Sequence, residues 1–242
     1  MASITIVIPV YNEEAGIPAI VEAFGPYFKK TSLNAKVLFV NDGSTDQSLQ
    51  EIEKVCLLND HFEFISFEKN AGLSAAIKAG FDYSQSVWVG YIDADLQTDP
   101  MDFLSYEAFL GEFDLITGKR VNRKDSFVKN LSSSFANWFR DSLLHDHVSD
   151  SGCPLKIIRK DLAVSLPFFK GMHRFIPALV LMQGGKLKEL PVSHFPRVTG
   201  KSKFHLWNRL LSPFLDTLAV RWMMKRKIDY KIRSTNSLSH PN

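Results

Sequence analysis

Asp93-Ala94-Asp95-Leu96-Gln97 follows directly on the apolar stretch Val87-Trp88-Val89-Gly90-Tyr91-Ile92. A buried strand ending there delivers two carboxylates and an amide to one mouth. Such acids repel each other unless a cation lies between them, and an all-oxygen set suits a hard divalent ion that bridges to a diphosphate. Taken alone, an Asp-x-Asp run reads more readily as a strand that ends on loop caps. Its companions along the chain decide between the two.

Those companions need elements to hold them. In the first half, apolar β-branched runs alternate with amphipathic stretches, the pattern of a parallel sheet covered by helices on both faces. Strands are expected near Thr5 to Pro9, Lys36 to Asn41, Glu63 to Phe67, Val87 to Asp93 and Asp114 to Gly118, with helices near Ala15 to Phe28, Asp46 to Leu57, Leu73 to Tyr83 and Asp99 to Gly111. Asp99-Pro100 caps the last of these. The second half is less regular: a helix from about Phe127 to Leu144, a strand over Gly152 to Arg159, a helix from Arg174 to Met182 and an extended stretch from Lys186 to Phe195. Doubly wound sheets bind ligands outside the carboxyl ends of their strands. Every candidate motif falls there.

In order, the strand ends carry Pro9-Val10-Tyr11-Asn12-Glu13-Glu14, Asn41-Asp42-Gly43-Ser44-Thr45-Asp46, Asn70-Ala71-Gly72 and Asp93-Ala94-Asp95-Leu96-Gln97. Further on come Gly118-Lys119-Arg120, Arg123-Lys124-Asp125-Ser126, Asp150-Ser151-Gly152-Cys153 and the run His194 to Lys203. The first four resemble the family 2 glycosyltransferases of the GT-A fold. With the later blocks, the set looks like the polyprenyl-phosphate branch of that family, which includes dolichol-phosphate mannose synthases and undecaprenyl-phosphate sugar transferases. The resemblance covers roughly residues 4 to 225. It implies a GT-A (Rossmann-like), mostly parallel α/β sheet flanked by helices, with C-terminal amphipathic helices.

What the resemblance implies for single residues follows the same order. Pro9, Tyr11, Glu13 and Asp42 surround the nucleoside of a UDP- or GDP-sugar donor. Some relatives carry two acids where this chain has Asn41-Asp42. Asp95 and Gln97 are the main metal ligands, with Asp93 as a third ligand or a ribose contact, and Mg2+ or Mn2+ is the expected cofactor. Arg120 and Arg123, with Ser133 or Ser134, take the acceptor phosphate. Arg197 and Lys203 close over the donor diphosphate, with the turn at Gly200 as a lid. Asp150 either orients the acceptor or serves as a base.

The expected reaction is inverting transfer of a sugar from a nucleotide donor to a polyprenyl phosphate. The alternative is transfer to a carbohydrate hydroxyl, with Asp150 as base. A lipid phosphate is already an anion, so positioning and charge neutralisation suffice, whereas a hydroxyl needs a base. A dehydrogenase is disfavoured because no GxGxxG follows the first strand. His145-Asp146-His147 does not read as a metal site, since three adjacent residues do not converge on one ion, and His173 reads as packing or a local hydrogen bond.

Charge and composition set the remaining bounds. The net charge of +3 conceals a basic stretch from Arg197 to Arg233, where ten Lys/Arg face only Asp216 and Asp229, which leaves the rest of the chain acidic. Such a stretch points to an anionic partner. It lacks a recognisable nucleic-acid module, and no nucleic acid is expected. Trp207, Leu210, Leu211, Phe214, Leu218 and Trp222 recur at helical spacing beside Arg221, Lys225, Arg226 and Lys227. An amphipathic helix of that kind can lie in a bilayer interface; the alternatives are packing on the sheet domain or a dimer contact. Pro213 is expected to divide it into two short helices. No stretch approaches the roughly 20 apolar residues of a spanning helix. Many relatives continue into transmembrane helices here, so the expectation is peripheral attachment on the cytoplasmic face, or a separate membrane partner. The start has no secretory pattern, and Cys56 and Cys153 suggest neither a disulfide framework nor a zinc site. The division expected is a transferase domain over 1–203, a basic helical tail over 204–233 and a disordered end over 234–242.

Overall fold

The computed structural model describes residues 2–121, 127–196 and 211–228, with the backbone alone over 127–135 and at 211. Seven strands among them form one sheet: β1 (Ser3–Val10), β2 (Asn34–Asn41), β3 (Phe62–Ser66), β4 (Trp88–Tyr91), β5 (Leu115–Arg120), β6 (Lys156–Arg159) and β7 (Leu187–Val192). Their order is β3-β2-β1-β4-β6-β5-β7, and only β6 runs antiparallel to its neighbours. The helices are α1 (Ile17–Lys30), α2 (Ser48–Leu58), α3 (Leu73–Tyr83), α4 (Phe103–Glu107), α5 (Phe127–Leu144), α6 (Lys160–Ser165), α7 (Ile176–Met182) and α8 (Leu211–Lys225).

Strand periodicity divides the core in two. Ile4, Ile6 and Ile8 of β1 face Phe24 and Tyr27 of α1, Ile52 of α2, and Phe103 and Tyr106 of α4. Val7 of β1, Leu38 of β2 and Val89 of β4 face α3, α6, α7 and Val220 of α8. With both faces covered, the central strands are apolar without alternation. Gly80 lets α3 sit directly on β1: a Cβ there would lie 2.8 Å from Val7 Cγ2.

Two expectations are adjusted. The strand expected over Gly152 to Arg159 begins only at Lys156, because Asp150–Cys153 turns back on itself through Cys153 N to Asp150 O at 3.1 Å. The helix expected over Asp99 to Gly111 is a 3-10 turn at Pro100–Asp102, capped by the Asp99 carboxylate on Met101 N at 2.8 Å, followed by the short α4. Pro213 lies within the described α8, and its carbonyl accepts from Thr217 Oγ1 at 2.7 Å; the stretch before Leu211, on which the expected division into two helices turns, lies outside the described residues.

Candidate active site

The sheet reverses its winding between β1 and β4, which pair directly. A crevice at their carboxyl ends is where such a sheet binds ligands. Three loops are stitched together there. Asn12, at φ +52°, accepts from Thr45 N through its side chain at 2.8 Å, and its own N–H donates to Ser44 Oγ at 3.0 Å. Glu13 N donates to Ser48 Oγ at 2.9 Å. Pro9, Tyr11 and Glu13 are all partly buried along this edge.

Asp42 follows directly on β2 and is nearly fully buried. Its carboxylate accepts from Asn70 Nδ2 at 2.9 Å, Ala71 N at 2.7 Å and Gly72 N at 2.9 Å. Those bonds fasten the Asn70–Gly72 loop to the strand end, so the acid expected to meet the base or ribose is already engaged by the protein. Gly43, at φ +64°, lets the chain pass under that loop: a Cβ would stand 2.5 Å from Asn70 N.

Asp93 and Asp95 leave the end of β4 through a turn in which Leu96 takes φ +52°. Tyr91 Oη donates to Asp93 Oδ1 at 2.5 Å, and Gln97 N donates to Asp95 Oδ1 at 3.2 Å. Burial, and then the charge of Asp95, push the Asp93 carboxyl up to about 6; the Tyr91 hydrogen bond and the charges of Lys156 and Arg120 oppose the rise. Two carboxylates thus share a site that is short of positive charge, which a hard cation would supply. Among the described residues, no three His, Cys, Asp or Glu side chains converge as a metal-holding group. The all-oxygen chemistry of Asp93, Asp95 and Gln97 is of the kind that would suit a hard divalent ion. Gln97 O also accepts from Phe195 N at 2.9 Å and lies 3.2 Å from His194 Nδ1, which docks the His194–Pro196 segment on this loop.

Arg120 ends β5. Its Nε and Nη2 bond Asp150 Oδ2 and Oδ1 at 2.7 and 2.8 Å, and its main-chain N–H adds a third bond to Oδ2 at 3.2 Å. The bond to Asp150 and its charge raise the guanidinium's proton affinity against the opposing effect of burial. Asp150 N donates to Glu189 Oε1 at 3.0 Å. Arg123, Arg197 and Lys203 lie outside the described residues; Ser133 and Ser134 lie on α5 where only the backbone is described.

Sequence reasoning missed two buried cations beside the site. Arg140 of α5 forks onto Asp146 at 2.9 and 3.1 Å and also donates to Ser151 Oγ. Lys156 of β6 donates to the carbonyls of Ser151, at 3.3 Å, and Cys153. The available signal was a lone lysine opening the apolar run Lys156-Ile157-Ile158. Asp146, dismissed with its flanking histidines as a metal site, is the partner of Arg140. His173 lies 3.0 Å from Ser74 Oγ through Nδ1, and burial depresses its imidazole to about 3, so it is neutral at physiological pH.

Comparison with known proteins places the chain in a family. The family model for Glycosyl transferase family 2 matches residues 5–165. The chain is similar to a dodecaprenyl-phosphate galacturonate synthase of Rhizobium johnstonii, at 32% identity over 230 residues, 93% of this chain and 68% of the relative. It is also similar to undecaprenyl-phosphate 4-deoxy-4-formamido-L-arabinose transferases of Aeromonas hydrophila (32% over 205 residues, 84% and 63%) and Pseudomonas fluorescens (33% over 204, 83% and 60%). It thus spans somewhat under two thirds of the length of the two arabinose transferases. Among solved structures, the fold is shared with glucosyl-3-phosphoglycerate synthase of Mycobacterium tuberculosis in complex with Mn2+, UDP-glucose and glycerol 3-phosphate (TM-score 0.66, 17% identity, 94% and 82% covered). Mannosyl-3-phosphoglycerate synthase of Rubrobacter xylanophilus shares it too (TM-score 0.68, 15%, 98% and 79%). With a doubly wound sheet, an acidic pair at its switch point and these matches in agreement, the chain belongs to glycosyl transferase family 2.

Proposed function

We propose that this protein transfers a sugar, with inversion, from a UDP- or GDP-sugar to a polyprenyl phosphate, in the presence of Mg2+ or Mn2+. The observation that carries the reading is the state of Asp150. Both its oxygens are engaged by Arg120 in a fork at 2.7 and 2.8 Å. A carboxylate so held is poorly placed to take a proton from a hydroxyl, and it presents a fixed cation instead. That arrangement supports an acceptor that brings its own negative charge, and it disfavours the hydroxyl alternative.

In this reading Pro9, Tyr11 and Glu13 line the nucleoside, and Asp42 shapes the floor by holding the Asn70–Gly72 loop. Asp93, Asp95 and Gln97 would hold the divalent ion, which would offset charge growing on the departing diphosphate. Arg120, with Arg123, Ser133 and Ser134, receives the acceptor phosphate; two of the guanidinium's five N–H groups serve Asp150, which leaves three for phosphate oxygens. One phosphate oxygen attacks the anomeric carbon while the bond to the nucleoside diphosphate breaks on the opposite side, and no proton transfer is required. Arg197 and Lys203 close over the diphosphate.

The lipid acceptor must be met at a membrane. Among the described residues no helix is long and apolar enough to cross one. Leu218 and Trp222, one turn apart on α8, are 43% and 60% exposed, Phe214 at the edge of that face is 45% exposed, and Trp138 of α5 is 64% exposed. Arg221, Lys225, Arg226 and Lys227 accompany them. We read this face as resting on an anionic bilayer at its cytoplasmic side. The test is incubation with a panel of UDP- and GDP-sugars, Mn2+ and a short polyprenyl phosphate, following lipid-linked product. Transfer to an oligosaccharide with every lipid refused would establish the alternative.

A further inference from the structure

Lys156 is 2% exposed, yet among the described residues its hydrogen-bond partners are two main-chain carbonyls and no carboxylate. An ammonium held so deep is costly unless its geometry accomplishes something. It lies on the one antiparallel strand, opposite Tyr91 of β4 and Thr117 of β5. Tyr91 is the residue that bonds Asp93, and β5 ends in Arg120 three residues beyond Thr117. The lysine thus stands between the strand that delivers the acidic pair and the strand that delivers the guanidinium.

Its two acceptors, Ser151 O and Cys153 O, belong to the turn that follows Asp150. That turn passes close beneath the guanidinium: a Cβ on Gly152 would come within 3.5 Å of Arg120 Nη2. Arg140 holds the same turn through Ser151 Oγ, and Glu189 holds Asp150 N. Among these anchors Lys156 belongs to a strand in the interior of the sheet. A loop carboxylate would otherwise wander with its backbone, and a forked Arg pair is sensitive to displacements of a few tenths of an ångström.

We propose that Lys156 is a positioning residue for the acceptor: by holding the Ser151 and Cys153 carbonyls it sets the Asp150 carboxylate, which in turn aims Arg120. This inference rests on the reading of Arg120 as the acceptor-phosphate cation. It assigns Lys156 no contact with either substrate. The donor side is built on the loops after β1, β2 and β4 and not on this turn; the charge of Lys156 does reach Asp93, and Lys156→Arg, which keeps that charge, separates the two effects.

The experiment is steady-state kinetics on the full chain with the nucleotide sugar it turns over, Mn2+ and a short polyprenyl phosphate, for the parent, Lys156→Met, Lys156→Arg, Arg120→Ala and the Lys156→Met/Arg120→Ala pair. Lys156→Met is expected to raise acceptor KM about tenfold or more while donor KM stays within about twofold, and Lys156→Arg to restore most of the loss. In the Arg120→Ala background the Lys156→Met effect should shrink to less than about twofold, because a residue that acts through Arg120 has nothing left to act on. Independent, multiplicative effects, or equal changes in both KM values, would overturn the inference, as would an unchanged acceptor KM in Lys156→Met. Should Lys156→Met fail to fold by thermal melting, Lys156→Gln, with a shorter stem and fewer donors, carries the same comparison. Absence of any lipid transfer by the parent chain overturns the acceptor reading and this inference together; transfer with a normal Lys156→Met overturns the inference alone.

Discussion

At the residue scale, the acidic pair works against the fold that carries it. Burial and Asp95 lift the Asp93 carboxyl from 3.8 to about 6, so the folded state binds that proton more tightly than the unfolded chain does. Stability is therefore lost as pH rises from about 4 through 6, and the deficit, on the order of 3 kcal/mol, is complete above it. Asp93→Asn should raise the denaturation midpoint at pH 7.5 and change it little at pH 4, a difference that urea titrations at the two pH values will read. The same substitution should depress transfer, since stability and function conflict at this position. Asp95→Asn, which removes a ligand charge, is expected to lower kcat/KM about 100-fold or more and to weaken the dependence on added Mn2+. For Asp150→Asn the two acceptor classes diverge. With a phosphate acceptor, loss of the fork should chiefly raise acceptor KM, about tenfold, with residual turnover; with a hydroxyl acceptor activity should vanish.

At the scale of elements, the connection from α5 to β6 is built on a buried ion pair. Arg140 and Asp146 have side chains only 6% and 0% exposed, and Arg140 also reaches Ser151 Oγ and the Val148 carbonyl. Removing one partner leaves an uncompensated charge, so Asp146→Ala should cost about 3–5 kcal/mol in urea denaturation, whereas an exposed pair such as Lys54–Glu51 should cost under about 1 kcal/mol. Sequence patterning located β1, β2 and α5 well, with bounds close to those expected. It did less well at Gly152–Leu155. A β-favourable run is not a strand when its first residues are needed for a turn, and that is not visible without the neighbours.

At the scale of the whole molecule, α8 joins the domain rather than trailing from it. Val220 is fully buried, Thr217 nearly so, and Phe214 stacks on Phe139 of α5 with ring centroids 4.7 Å apart. The opposite face stays in solvent, with Arg226 over the Trp222 ring at 5.5 Å. If that face rests on lipid, the protein should co-sediment with phosphatidylglycerol vesicles and much less with phosphatidylcholine, and rising salt should release it. Replacing Leu218 and Trp222 together by Ser should weaken partition about tenfold while turnover of a short, soluble polyprenyl phosphate holds.

What the sequence by itself determined is the inventory of strand-end chemistry. Asp42, Asp93, Asp95 and Gln97 stand out because polar groups at the ends of apolar runs violate the local pattern, and Arg120 and Asp150 because their motifs resemble the family's; one linear chain is enough to see both. What only the tertiary structure decided is how those groups are spent. The Asp42 carboxylate secures a loop 28 to 30 residues away along the chain, Asp150 is bound to an arginine from another strand, and Lys156 and Asp146 lie under the site. Hydrogen-bond capacity is shared among residues remote in sequence, so whether an acid is a base, a ligand or a brace depends on which donors the fold brings within about 3 Å of it.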